Sequence, residues 1–141
     1  MPVRLTTELA FPIGQVWAMI SNFGGIARWH PMLMACEAEG QGVGSSRRLQ
    51  FADWWATEEL TLLDPVSHSI AYHVTASSRP EYVGMEASLM LATVDSGCTR
   101  LDWISGLPDD HKEAGRVNSM LEAYYPVRVG HLTEALKSGQ H

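Results

Sequence analysis

The stretch Ser45-Ser46-Arg47-Arg48-Leu49-Gln50-Phe51 and its continuation Thr57-Glu58-Glu59-Leu60-Thr61-Leu62-Leu63 decide the fold. Large apolar residues recur at alternate positions, the period of strands with one buried face. Two such runs joined by the Ala52 to Ala56 turn form an antiparallel pair. Arg47 shares its face with Leu49 and Phe51, and Glu58 shares its face with Leu60 and Leu62. The opposite register would bury Arg48, Gln50, Glu59 and Thr61 while exposing the large apolar side chains, so apolar burial turns Arg47 and Glu58 inward. The two charges are expected to meet there on a diagonal, as an ion pair that lowers the cost of desolvating each.

Outward from this pair the pattern is one of strands and turns. Strands are predicted at Met34 to Glu39, Ser45 to Phe51, Thr57 to Leu63, Ser69 to Ala76, Val83 to Thr93 and Thr99 to Gly106. Gly40, Gly42, Gly44, Asp64-Pro65, Arg79-Pro80 and Ser96-Gly97 punctuate them, and the short connections make an antiparallel meander. Upstream, Val3 to Leu9 alternates as a further strand. Pro12 then opens a helix carrying Val16, Trp17, Ile20 and Phe23, which Gly24-Gly25 ends. Ile26 to Trp29 forms a second helical piece, closed by His30-Pro31.

Downstream, Pro108-Asp109-Asp110 opens a long helix, with Asp110 and Glu113 read as a capping box. Its predicted buried stripe is Val117, Met120, Leu121, Tyr124, Val127, His131, Leu132 and Ala135. Pro126 removes one backbone bond and Gly130 weakens the next turn, so a kink is expected near Tyr125. The order of elements describes one α+β domain, residues 1–141, whose last helix covers the concave face of a sheet. Between them lies either a packed core or a cavity, and composition does not choose.

Composition narrows the classes of function. The 141 residues are 45% hydrophobic and 18% charged, as in a folded single domain. Ten Lys and Arg against sixteen Asp and Glu leave a net charge of −6, which disfavours nucleic acid as a partner. No apolar run is long enough for a membrane span, and the first twelve residues lack a signal-peptide pattern, so a cytoplasmic location is expected. Cys36 and Cys98 lack CxxC spacing and suit reduced, buried thiols. Five Trp, four Tyr and seven Met make a mixture common around pockets as well as in plain cores.

Pro12, Val16-Trp17, the run Asn22-Phe23-Gly24-Gly25-Ile26-Ala27-Arg28-Trp29-His30-Pro31, and Glu37 with Gly40-Gln41-Gly42-Val43-Gly44 together resemble the bacterial SRPBCC group of polyketide cyclase/dehydrase-like proteins. That group belongs to the START and Bet v 1 helix-grip superfamily. The likeness continues through Leu63-Asp64-Pro65, Tyr72, Arg100, Trp103 and the closing helix. It implies a seven-stranded antiparallel sheet wrapped around the C-terminal helix, with a ligand cavity between them. It also implies a small hydrophobic or aromatic ligand, polyketide-like or lipid-like, with cyclisation, dehydration or isomerisation as the reaction class if the protein is catalytic. A non-catalytic carrier or sensor and an interaction protein with a filled core are the rival readings.

No fixed catalytic signature is present. His68 and His73 project to opposite faces of one strand, and no HxH, HExxH or cysteine pair occurs, so no metal is expected. Gly40, Gly42 and Gly44 lack phosphate-loop spacing and read as a hairpin turn; no organic cofactor is implied. Glu58, Arg47 and His30 are the candidate catalytic groups. His30 would move a proton near neutral pH, its plainer role being to satisfy a loop carbonyl. The ligand would touch Trp29, Leu49, Phe51, Leu60, Tyr72, Met85, Trp103, Leu121 and Tyr124, for all of which core packing is the plain alternative. The sequence leaves a homodimer open.

Overall fold

A computed structural model describes residues 2–139. The elements, in chain order, are β1 (Val3–Leu9), α1 (Ile13–Ile20), a 3₁₀ segment (Phe23–Trp29), β2 (Ala35–Glu39), β3 (Ser46–Gln50), β4 (Trp55–Asp64), β5 (Ser69–Ser77), a single 3₁₀ turn (Pro80–Tyr82), β6 (Glu86–Asp95), β7 (Cys98–Gly106) and α2 (Ala114–Ser138). The strands form one antiparallel sheet ordered β1-β7-β6-β5-β4-β3-β2. Every neighbour except β1 with β7 is joined by a short connection, as the turn signals require. The first strand is thus sealed to the last one, and the helices lie against the concave face.

The predicted strands are all present, and their ends differ in instructive ways. β6 begins at Glu86 instead of Val83 because Pro80–Tyr82 turns once as a 3₁₀ helix and Gly84 takes a φ of +93°. In β4, Ala56, Glu58 and Leu60 are buried in alternation, but a bulge between Leu60 and Leu62 shifts the phase, and Leu62 is exposed. The sequence reading placed Leu62 inward. The glycine-rich turn joins β2 to β3, with positive φ at Gly40, Gly42 and Gly44. Cys36 and Cys98 are half-buried free thiols, less enclosed than expected.

The C-terminal helix departs most from its prediction. It starts at Ala114, and no side chain caps it; the Glu113 amide instead donates to Nδ1 of His111 at 3.0 Å. The Asp110–Glu113 capping box does not form. What ties α2 to the sheet is Asn118, whose Oδ1 accepts from the Leu107 amide at 2.8 Å while Nδ2 donates to the Leu107 carbonyl at 3.1 Å. Gly106 makes room for it: a Cβ there would lie 2.4 Å from Asn118 Oδ1. The buried face is Ala114, Val117, Asn118, Leu121, Tyr125, Arg128, Leu132 and Leu136. It is rotated from the predicted stripe, so that Met120 and Val127 are exposed. The helix runs through Pro126 to Ser138. Among the described residues no helix is long and apolar enough to cross a membrane.

Candidate functional site

A cavity of about 330 Å³ lies between the sheet and α2. Leu49, Phe51, Val74, Ala87, Trp103 and Leu121 supply much of its apolar wall. Its rim includes exposed Met32, Asp53 and Met120. Beside them Trp54 stacks on Phe51 with ring centroids 4.2 Å apart, and Arg79 sits 4.8 Å over the Trp54 ring. An apolar chamber with few polar groups suits a small organic molecule.

Arg47 and Glu58 are buried charges, 3% and 7% exposed. They are direct cross-strand partners on β3 and β4, closer than the diagonal expected from sequence. Arg47 Nε donates to Glu58 Oε1 at 2.8 Å, Nη2 lies 2.7 Å from the same oxygen, and Nη1 donates to the Phe23 carbonyl at 2.8 Å. The guanidinium is sandwiched between the rings of Phe23 and Tyr72, at 4.0 and 4.6 Å. Arg47 is thereby held on three sides, although Nη2 makes no hydrogen bond of its own, and Glu58 Oε2 has no protein hydrogen bond among the described residues. Burial, then the nearby Glu58 carboxylate, push the Tyr72 phenol up to about 12.

His30, 5% exposed, shares a 3.2 Å hydrogen bond between Nε2 and the Tyr124 hydroxyl, and its Nδ1 is buried without a partner. Burial first, then the charges of Arg128, His131 and Arg47, hold its pKa down to about 3. It is therefore a neutral imidazole near pH 7, a weak base hydrogen-bonded to the Tyr124 hydroxyl. A stability consequence follows from the sign of this shift. The unfolded chain takes up a proton below pH 6.5 that folded His30 refuses until about 3, so stability is lost as pH falls through that window. The slope from this group approaches about 1.4 kcal/mol per pH unit. His131, also shifted down by burial and Arg128, adds in the same direction. His30→Gln is expected to flatten the urea midpoint against pH between 6 and 4.5; an unchanged slope would assign the acid sensitivity elsewhere.

Of the residues expected around a ligand, Leu49, Phe51, Tyr72, Met85, Trp103, Leu121 and Tyr124 line the cavity, together with Arg47, Glu58 and His30. Trp29 and Leu60 do not: Trp29 packs edge-on against Trp103 at 5.9 Å, and Leu60 is sealed in the core. Sequence reasoning missed Tyr125, Tyr82 and Arg128. Tyr125 bonds Ser105 at 2.6 Å, and burial raises its phenol further than that of Tyr72. The Leu121, Tyr125, Arg128, Leu132 spacing was a readable signal, obscured because Arg128 is charged. Among the described residues no three His, Cys, Asp or Glu converge as metal ligands.

Among curated proteins none matches the sequence. Solved structures share its fold. A protein of Nitrosospira multiformis is similar at 20% identity and TM-score 0.78, over 96% of both chains. The protein XoxI from Bacillus cereus is similar at 16% identity and TM-score 0.78, over 99% of this chain and 98% of that one. The di-domain ARO/CYC BexL from the BE-7585A biosynthetic pathway is similar at 14% identity and TM-score 0.79, over 97% of this chain and 46% of its own. At the level of sequence, residues 2–136 match the family described as polyketide cyclase / dehydrase and lipid transport. A sheet gripping a long helix around an apolar chamber is the architecture that this match calls for, and the chain belongs to that family.

Proposed function

We propose that the protein binds a small aromatic or apolar carbonyl compound in the cavity and moves a proton on it, with Glu58 as the base. The observation that carries this reading is the buried Arg47–Glu58 pair in the wall of an otherwise apolar chamber. Arg47 fixes the carboxylate through Oε1, and Oε2 is left to accept a proton from the carbon next to a carbonyl. The chamber holds the ligand against that oxygen and excludes water, which strengthens both the ion pair and the contact with the developing enolate. Enolisation is the step shared by cyclisation, dehydration and isomerisation of carbonyl compounds. Family membership and the fold shared with an aromatase/cyclase support the same class.

The alternative is a carrier that uses the same cavity without chemistry. 2-Tetralone in D₂O separates them, because its acidic carbon protons exchange for deuterium only as fast as the enolate forms. The protein is expected to bind it and speed this exchange. Glu58→Gln, which keeps an amide oxygen on Arg47, should lower the acceleration by about 10²-fold or more. Glu59→Gln should leave it within twofold, since Glu59 faces outward, 3.3 Å from His73. Binding without accelerated exchange would establish the carrier reading, and equal effects of the two substitutions would remove Glu58 from its role.

A further inference from the structure

Three arginines line the cavity, and among the described residues Arg128 is the one with no carboxylate beside it; Arg79, at the rim, lies 3.4 Å from Asp53. Arg47 is neutralised by Glu58. Arg128, 3% exposed, projects from α2, and its Nη1 donates to the Trp29 carbonyl at 2.8 Å and to Nδ1 of His131 at 2.9 Å. Its guanidinium lies 4.5 Å over the Trp29 ring. No carboxylate reaches it among the described residues. The other acidic side chains lining the cavity are accounted for at the rim: Asp53 lies 3.4 Å from Arg79, and Glu86 is exposed at the start of β6. The Nε and Nη2 edge of Arg128 has no protein partner among the described residues. That edge carries parallel N–H donors, the arrangement that grips both oxygens of a carboxylate.

Burying a cation without an opposite charge is costly, and an aromatic face with two neutral acceptors compensates only in part. The cavity lining holds further polar atoms with no hydrogen-bond partner: His30 Nδ1, Trp103 Nε1 and Arg47 Nη2, all buried. His30 and His131, whose rings are 6.2 Å apart, have their pKa values lowered beside Arg128 and so do not rival it as cations for an anion. The polar groups of the chamber thus form two stations, one charge-balanced at Arg47–Glu58 and one carrying an uncompensated positive charge at Arg128.

We propose that the ligand is a small apolar or aromatic carboxylic acid, bound as its anion with the carboxylate side-on to Arg128 and its apolar body along Leu49, Phe51 and Trp103. The inference rests on the cavity reading above and adds the charge of the ligand and its direction. Arg47 is not the anion site, because the Glu58 carboxylate already balances its charge. A carboxylate fixed at α2 would aim the opposite end of the molecule toward the β3–β4 wall, where Glu58 lies.

The test compares 2-naphthoate with 2-naphthamide, which match in shape and differ in charge, by calorimetric titration at pH 7.5. The folded wild-type protein is expected to bind the acid at least 10-fold more tightly than the amide. In Arg128→Met, which keeps an apolar stem, the ratio should fall within threefold while amide affinity changes less than threefold. Arg128→Lys should retain part of the preference. The Arg128 Nε–Hε resonance of the wild type gives a readout that needs no substitution, and it should shift with the acid and stay in place with the amide. Equal binding of the two compounds to the wild type would overturn the carboxylate assignment and leave the cavity reading intact. Failure of both to bind would overturn the two readings together. A preference that survives in folded Arg128→Met, or a resonance unmoved by saturating acid, would remove Arg128 from the site.

Discussion

Glu58→Ala is expected to destabilise the protein by about 3–5 kcal/mol, because it strands a buried guanidinium without a counter-ion. Arg47 cannot swing into water to escape: it is 3% exposed, clasped between Phe23 and Tyr72, and bonded to the Phe23 carbonyl. The double variant Arg47→Met/Glu58→Leu should recover most of the loss, since apolar side chains of similar size remove both desolvation costs together. Urea unfolding of the wild type, Arg47→Met, Glu58→Leu and the double variant closes the cycle. A Glu58→Ala loss below about 1 kcal/mol, or strict additivity in the cycle, would mean that the pair is solvated and not buried as described. The recovery of stability in a double variant lacking both charges would also show that the pair is retained for something other than folding.

The second large effect distinguishes filled space from empty space on α2 and its surroundings. Leu132 is fully buried against the sheet, so Leu132→Ala leaves a void in a close-packed region and is expected to cost about 2–5 kcal/mol. Met85 borders the cavity, already lacks neighbours on one side, and is only half-buried. Met85→Ala enlarges an existing space and is expected to cost less than about 1.5 kcal/mol. The same substitution should change the affinity for 2-naphthamide, while Leu132→Ala should not. Similar losses from both would mean that the region beside Met85 is packed, and the ligand reading would lose its chamber.

These expectations draw unequally on sequence and structure. Alternation in β3 and β4 was enough to turn Arg47 and Glu58 inward, because the opposite register would have exposed four large apolar side chains for the sake of burying polar ones. Their direct opposition was not legible. Register depends on how the chain turns through residues 51–54, where the Phe51 amide donates to the Trp54 carbonyl and shortens the connection relative to the five-residue turn assumed. Leu62 was misplaced for a related reason: a bulge is a property of paired strands, and β4 shifts phase only against β5.

The helix that closes the cavity shows the limit more sharply. Periodicity identified α2, and Leu121 and Leu132 on its buried side, since apolar residues at helical spacing have few other places to go. It ranked Tyr124 above Tyr125 and passed over Asn118 and Arg128, which lie on the buried face. A polar residue joins a buried face only when partners await it, and here they come from far along the chain: the Leu107 peptide for Asn118, and the Trp29 carbonyl and ring for Arg128. The same dependence holds His30 as a neutral imidazole, because its burial, and after that the Arg128 charge on α2, come from elements far along the chain. Local pattern therefore determined the strands, the helices and the inward ion pair, for each rests on the burial of neighbouring apolar side chains. The tertiary structure decided the rotation of α2, the unpaired charge of Arg128 and the protonation of His30, since each is set by groups that only folding brings together.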